Sequence, residues 1–260
     1  MAGSTLNITL IQSDIVWEDK AANLNHYQAV IETIQEKKEV VVLPEMFSTG
    51  FSMNTAGLAE KMEGPTVQWM KDIAKEHRCI LTGSLIIEED GKYYNRLIWM
   101  QPDGNSFQYN KRHLFAYADE HNHFSPGDKR LIVSVKGFRI CLMVCYDLRF
   151  PVWARNKEEE YDVLLYVANW PERRSIAWKA LLQARAIENL SYVVGVNRVG
   201  TDAKGFNYTG DSSVFGPLGE TILQCTGEAA VKTITLEKET VTNTRSHLPF
   251  LKDADNFMIL

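Results

Sequence analysis

The run "VVVLP" (40–44) limits the fold most severely. Four successive apolar residues leave no alternating polar positions for solvent, and Pro44 stops the run. Such a burst reads as a central strand buried on both faces. The flanking segments supply the cover that such a strand needs. "ANLNHYQAVIETIQEKK" (22–38) carries Leu24, Tyr27, Val30, Ile31 and Ile34 at helical spacing and predicts a helix. "TVQWMKDIAKEHR" (66–78), opening after Gly64-Pro65, predicts a second. "SIAWKALLQARAIEN" (175–189) predicts a third, with Ile176, Ala180, Ala184 and Ile187 on one face. Strands are expected at 7–15, 39–46, 79–89, 93–104, 107–113, 131–135, 138–145, 163–170, 191–198, 212–216, 221–225 and 230–235, with Asp90-Gly91 as a hairpin turn. The stretch 115–130 breaks periodicity and reads as a long loop. The tail 242–260 reads as irregular, although it keeps Leu248, Phe250, Leu251, Phe257, Met258 and Ile259.

Helices between many strands, together with hairpin turns, predict an α/β (α+β) fold with a mixed sheet covered by helices. No GxGxxG or GxxxxGK[ST] follows a strand, so the usual nucleotide-binding loops are missing. No repeat, low-complexity block or linker divides the chain, and one domain over 1–260 is expected. The net charge of −5 gives no electrostatic reason for a nucleic-acid partner. No apolar run approaches 18 residues, and the start lacks a basic region before an apolar stretch, so neither a membrane span nor a signal peptide is predicted. Four cysteines without CxxC spacing disfavour zinc and a disulfide framework. A cytoplasmic protein with free thiols is the expectation.

Chemistry is concentrated at strand ends. Cys145 closes the apolar run "RICLMVC", and Tyr146, Asp147, Arg149 and Pro151 then turn the chain. Cys145 is either an inert buried thiol or a nucleophile exposed at a turn, where following backbone N–H groups can face an oxyanion. Cys141, inside the run, is assigned to the core. A nucleophilic thiol needs a base or a nearby cation. Glu45 follows "VVVLP" directly, and a partly desolvated carboxylate there is a usable base; it could equally cap a wet strand edge. Lys111 and Glu120 taken singly read as surface residues. His113, His121 and His123 cluster in one region, which leaves a Cys–His pair open as well.

Taken together, "LPEMF" (43–47), "NKRHLF" (110–115) and "VCYDLRFP" (144–151) resemble the three catalytic motifs of the nitrilase superfamily of carbon–nitrogen hydrolases, in the family's order. "EHNHFSPG" (120–127), "NWP" (169–171) and "ARAIEN" (184–189) resemble further landmarks, and the resemblance runs from Ile8 to about Gly219. "CYDLRFP", "YVANWP" and "RHLF" followed by "ADEH" look most like the omega-amidase branch.

The resemblance implies a four-layer αββα sandwich of two mixed sheets. It implies Cys145 as nucleophile, Glu45 as general base and Lys111 as the cation beside the reacting carbonyl. It also implies Glu120 as a second, supporting glutamate and the Tyr146 N–H as an oxyanion donor. Asn169 and Trp170 are placed as supporting, substrate-positioning residues, and no cofactor or metal is implied. The implied substrate is a small 2-oxo-acid amide whose carboxylate needs a cation, Arg174 being preferred over Arg149 and Arg173. Phe47, Phe115, Phe124, Phe150 and Trp170 are candidates for an apolar wall. Other family substrates stay open: deaminated glutathione, an N-carbamoyl amine or an aliphatic nitrile. A homodimer or higher homo-oligomer is implied, with the tail 242–260 either at the interface or folded onto its own domain.

Overall fold

The computed structural model describes residues 3–258. Strands β1 (Thr5–Gln12), β2 (Val40–Val42), β3 (Ile80–Glu89), β4 (Lys92–Met100) and β5 (Ser106–Asn110) form one sheet with a late strand at its edge. Strands β6 (Leu131–Val135), β7 (Phe138–Val144), β8 (Val163–Ala168) and β9 (Tyr192–Asn197) begin a second sheet. A short ribbon, β10 (Val199–Thr201) and β11 (Asn207–Thr209), leads to β12 (Ser213–Phe215) and β13 (Thr221–Gln224), which complete the second sheet. β14 (Ala230–Glu237) returns to β1. Four longer helices accompany them: α1 (Lys20–Thr33), α2 (Pro65–His77), α3 (Ser175–Asn189) and α4 (Lys238–His247).

Each sheet has a parallel centre, β1-β2-β3 in one and β7-β8-β9 in the other, flanked by antiparallel strands. Alternation along the strands then sets the layers. Val40 and Val42 join Leu6, Ile8, Leu97 and Trp99 in a core shared with β7, β8 and β9. Val41 and Leu43 face the other way, onto Tyr27, Ile31, Met70 and Ile73 of α1 and α2. α3 covers the second sheet through Trp178, Leu182 and Ala186. The order is helices, sheet, sheet, helices. The valine run is buried on both faces as its sequence requires, and each such side chain contributes about 1.5–3 kcal/mol on burial.

Several boundaries differ from expectation for local reasons. α1 stops at Thr33, because Ile34 turns extended to enter the core before β2. β8 stops at Ala168, because the Asn169 N–H leaves the ladder to bond Glu45. The expected loop 115–130 contains two helical turns, Ala116–Ala118 and Glu120–His123. The face proposed for α3 is its outer one: Ile176 and Ile187 are exposed, and Trp178, Leu182, Arg185, Ala186 and Asn189 face inward. Apolar spacing misled there because a buried arginine and asparagine interrupt the true inner face. The tail is not irregular from 242, since α4 extends to His247. Its polar sequence buries only Val241 and Arg245 and so shows no apolar period. Beyond α4, Leu251 is buried and the Lys157 ammonium lies 3.9 Å from the Phe257 ring centre. Ile259 lies outside the described residues.

α4 is fastened electrostatically. Asp162, at the start of β8 and 1% exposed, accepts from the Arg139 N–H at 2.8 Å and pairs with Arg139, Lys238 and Arg245. Burial opposes its charge, but these donors prevail and hold the carboxyl below the usual range. Removing the anion strands a nearly buried Arg245, and Asp162→Asn is expected to cost about 3 kcal/mol in urea unfolding at neutral pH. A carboxyl depressed in the folded state stabilises above its unfolded pKa, and that contribution is lost as pH falls through the folded value. The difference between parent and variant should therefore shrink only under acid. A difference independent of pH would refute the assignment.

Candidate active site

The site lies where same-direction strands of both sheets end. Glu45 follows β2, Lys111 follows β5, Cys145 follows β7 and Asn169 follows β8. Carboxyl ends of parallel strands are the usual place for ligands in such sheets. Pro44 and the left-handed Met46 (φ 44°) turn the chain away from β2 at Glu45. Cys145 is itself left-handed (φ 45°) and heads a one-turn helix, Cys145–Arg149. A non-glycine residue held there stores about 1–3 kcal/mol of strain. Lys111 is fixed through its backbone on both sides. Its N–H donates to the Asn95 carbonyl at 2.9 Å, and its carbonyl accepts from Gly127 N–H at 2.9 Å. Gly127 is required for that approach, since a Cβ there would lie 2.1 Å from the Asn110 oxygen.

Lys111 is the centre of the cluster. Its Nζ lies 2.9 Å from Glu45 Oε1 and 3.0 and 2.9 Å from the two Glu120 oxygens, and all three side chains are fully buried. Asn95 Nδ2 donates to Glu45 Oε1 at 2.8 Å, Asn169 N–H donates to Glu45 Oε2 at 2.8 Å, and Phe115 N–H donates to Glu120. Burial disfavours the Lys111 charge, but Glu120 and Glu45 outweigh it and hold the ammonium above its usual range. The Glu120 carboxyl is held high by burial and by Glu45, against the pull of Lys111. The Cys145 Sγ lies 4.0 Å from the Asn169 carbonyl, the acceptor for its S–H. Burial, followed by the Glu45 charge, pushes this thiol well above the usual range even though Lys111 opposes them. The resting sulfur is therefore protonated at neutral pH.

Cys145 and Lys111 open into a cavity of about 250 Å³. Of the expected wall, Phe115 and Trp170 line it, together with Phe51. Phe47 and Phe124 lie in the core, and Phe150 stacks behind the wall on His113. Tyr146 lines the cavity, and its N–H lies in the first turn of the short helix, where backbone donors have no intrahelical acceptor. Trp170 carries the Arg149 guanidinium on its ring at 5.0 Å, and its Nε1–H donates to the Arg174 carbonyl at 2.8 Å. Arg174 sits over Phe115 at 5.0 Å, and Arg173 over Phe206 at 4.3 Å.

Sequence reasoning missed Asn95, a polar residue inside β4. It also missed the hairpin residues Asp202, Lys204, Phe206 and Tyr208, which close the cavity from the β10–β11 ribbon. Asp202 is spent within that hairpin, accepting from the Lys204 and Phe206 N–H groups and the Tyr208 hydroxyl, each at 2.9 Å. Among the described residues, Arg149, Arg173, Arg174 and Lys204 have no carboxylate partner, so the mouth carries surplus positive charge. Burial and the Arg173 and Arg149 charges hold Arg174 below its usual range. No histidine lines the cavity, and His113 instead pairs with Asp147, which removes the Cys–His alternative.

The sequence matches the carbon–nitrogen hydrolase family over residues 7–246. The chain belongs to that family. It is 45% identical over 258 residues to the omega-amidase YafV of Yersinia enterocolitica, covering 99% of this chain and 100% of that protein. It is 30% identical to the 2-oxoglutaramate amidase of Bacillus subtilis, covering 95% and 96%. Its structure is similar to that of XC1258 from Xanthomonas campestris, a carbon–nitrogen hydrolase superfamily protein with an arsenic adduct in its active site. The TM-score is 0.96 at 41% identity, over 98% of this chain and 99% of that one.

Because Glu45 raises the thiol, Glu45→Gln should move the Cys145 titration to lower pH, read as thiolate ultraviolet absorbance against a Cys145→Ala blank. An unchanged or higher titration would show that the Glu45 charge does not act on the sulfur.

Proposed function

We propose that this carbon–nitrogen hydrolase is an omega-amidase, cleaving the terminal amide of small 2-oxo-acid amides such as 2-oxoglutaramate and 2-oxosuccinamate. One observation carries the reading: the buried Glu45–Lys111–Glu120 cluster and Cys145 open into a small cavity whose mouth holds cations with no carboxylate partner among the described residues. In the mechanism, Glu45 takes the thiol proton as sulfur attacks the amide carbon. Lys111 and the Tyr146 N–H stabilise the tetrahedral oxyanion. Protonated Glu45 returns the proton to the leaving nitrogen, ammonia departs, and a thioester remains on Cys145. Glu45, again a base, activates the water that hydrolyses the thioester to the 2-oxo dicarboxylate. Glu120 and Asn95 hold Lys111 and Glu45 in place.

Substrate charge is selected at the mouth. Arg174, half-buried with its guanidinium carbon 5.0 Å from the Phe115 ring centre, is the cation assigned to the far carboxylate. The uncompensated Arg149, Arg173 and Lys204 favour a net-anionic amide and repel the α-ammonium of glutamine or asparagine. An aliphatic nitrile or a neutral amide gains nothing from these cations. The four cysteines are free thiols, which suits a reducing cytoplasm, and no helix among the described residues is long and apolar enough to cross a membrane. A second copy covering exposed Ile176, Ala180 and Ile187 on α3 gives a homo-oligomer. Analytical sedimentation should then find a dimer or larger species, and a monomer at micromolar concentration would discard this interface.

The deciding assay is ammonia release from 2-oxoglutaramate against glutamine, asparagine and a simple nitrile. The 2-oxo acid amide should lead, and comparable rates on all four would sink the omega-amidase reading. Glu45→Gln should lower kcat at least about a hundredfold. Cys145→Ala should abolish turnover while Cys141→Ala keeps most of it. Arg174→Ala removes a charge-assisted contact worth about 1.5–3 kcal/mol, raising KM for carboxylate-bearing amides about tenfold or more. An equal KM change for a neutral amide would remove Arg174 from the carboxylate site.

A further inference from the structure

Asp147 is fully buried, two residues after Cys145, and the mechanism above does not use it. Its Oδ2 accepts from the Val144 N–H at 3.0 Å and from the Tyr109 hydroxyl at 2.7 Å. Its Oδ1 accepts from the His113 N–H at 3.0 Å and from His113 Nδ1 at 2.8 Å. A carboxylate can only accept, so His113 carries its proton on Nδ1. The pattern is symmetric about Lys111: Tyr109 lies two residues before it and His113 two residues after. One carboxylate thus grips both flanks of the Lys111 segment, and through Val144 it grips the strand end that delivers Cys145. The Tyr109 hydroxyl in turn accepts from Trp153 Nε1 at 3.0 Å and the Arg112 N–H at 3.3 Å, so its orientation is fixed. His113 is fixed by stacking on Phe150, with ring centres 3.7 Å apart.

We propose that Asp147 is a positioning residue that sets Lys111 and Cys145 at working distance, with Tyr109 and His113 as the two ends of its grip. The need is physical. Lys111 follows a strand of the first sheet and Cys145 one of the second, so no shared strand ladder fixes their separation. Cys145 also sits in a left-handed conformation that only surrounding structure can hold. Asp147 supplies both restraints from one buried side chain. Displacements of about 1 Å at a reacting centre can cost about a hundredfold in rate. This inference rests on the assignment of Lys111 and Cys145 to the chemistry.

The test uses graded variants of the full chain. Asp147→Asn keeps the shape but turns a donor toward donors, and kcat should fall about a hundredfold. His113 is partly exposed, so variants there spare the fold and decide the matter if Asp147→Asn does not fold. His113→Leu removes one bond and should lower kcat about tenfold while KM stays within about twofold. His113→Asn places an amide N–H near the former Nδ1 and should restore most of kcat. Thermal melting of each variant is recorded alongside. Lowered melting temperatures with unchanged kcat would reduce Asp147 to a structural role and overturn the proposal. Equal kcat for His113→Leu and His113→Asn would also overturn it. Ammonia release by Cys145→Ala, assayed beside the parent, separates the two levels. Turnover retained in Cys145→Ala would remove the site assignment and the grip together, whereas an inactive Cys145→Ala with unaffected Asp147 and His113 variants would remove the grip alone.

Discussion

The ammonium of Lys111, shared between two buried carboxylates, is the interaction on which the rest depends. A charge out of water is tolerated only when paired and hydrogen-bonded, and removing one partner of such a set costs about 3–5 kcal/mol. Glu45 comes from the end of β2 and Glu120 from a helical turn after β5, so the ion cluster ties distant segments to one point. Asn95 and the Asn169 backbone complete the acceptors' partners from β4 and β8. Strand lengths follow from this: β8 ends where its next N–H is worth more on Glu45 than in the ladder.

The sandwich is suited to holding such a cluster because two sheets meet there at their strand ends. Each sheet contributes what its own ladder can aim. The first supplies the Glu45 carboxylate and the Lys111 ammonium, the second supplies the Cys145 thiol and the Asn169 peptide. Both sheets are apolar through their shared core, so the cluster sits at the rim of a low-dielectric slab where charge interactions are strong. The cavity beyond it is closed by loops and the β10–β11 ribbon, which carry the mouth cations. The proposed chemistry thus rests on strand ends, and the proposed substrate choice on connecting segments.

Much of this was legible in residues before any coordinates. The valine run, Pro44 and the polar break after Cys145 mark strand ends by a change of local pattern, and strand ends are where Glu45 and Cys145 lie. Lys111 and Glu120 were not legible singly, because a lysine beside an arginine and a glutamate in a polar loop look solvated. Only their motif context separated them from surface residues. Asn95 left no signal, since one polar residue inside a strand is common on a wet face. The ribbon residues 202–208 escaped because the sequence does not encode which long connection folds back over a cavity. The inner face of α3 was misread because Arg185 and Asn189 are buried there, Arg185 donating to the Leu148 carbonyl. Hydrophobic periodicity does not register polar residues whose burial is satisfied by backbone partners.

In the proposed mechanism, the protonated resting thiol bears on how Lys111 contributes to rate. At rest the Glu45 carboxylate holds one of the ammonium's hydrogen bonds, and the sulfur keeps its proton. In the proposed attack that proton moves to Glu45, and the carboxylate then becomes neutral and loses much of its hold on Lys111. The negative charge reappears on the substrate oxygen, within the same small cavity. Lys111 then meets an anion that did not exist in the ground state, while Glu120 still fixes its position. An interaction formed only as charge develops lowers the barrier without tightening ground-state binding. A preformed thiolate would have spent the ammonium on the sulfur instead. Burial first, and the Glu45 charge after it, keep Cys145 protonated, and in the proposed mechanism that leaves Lys111 available for the transition state.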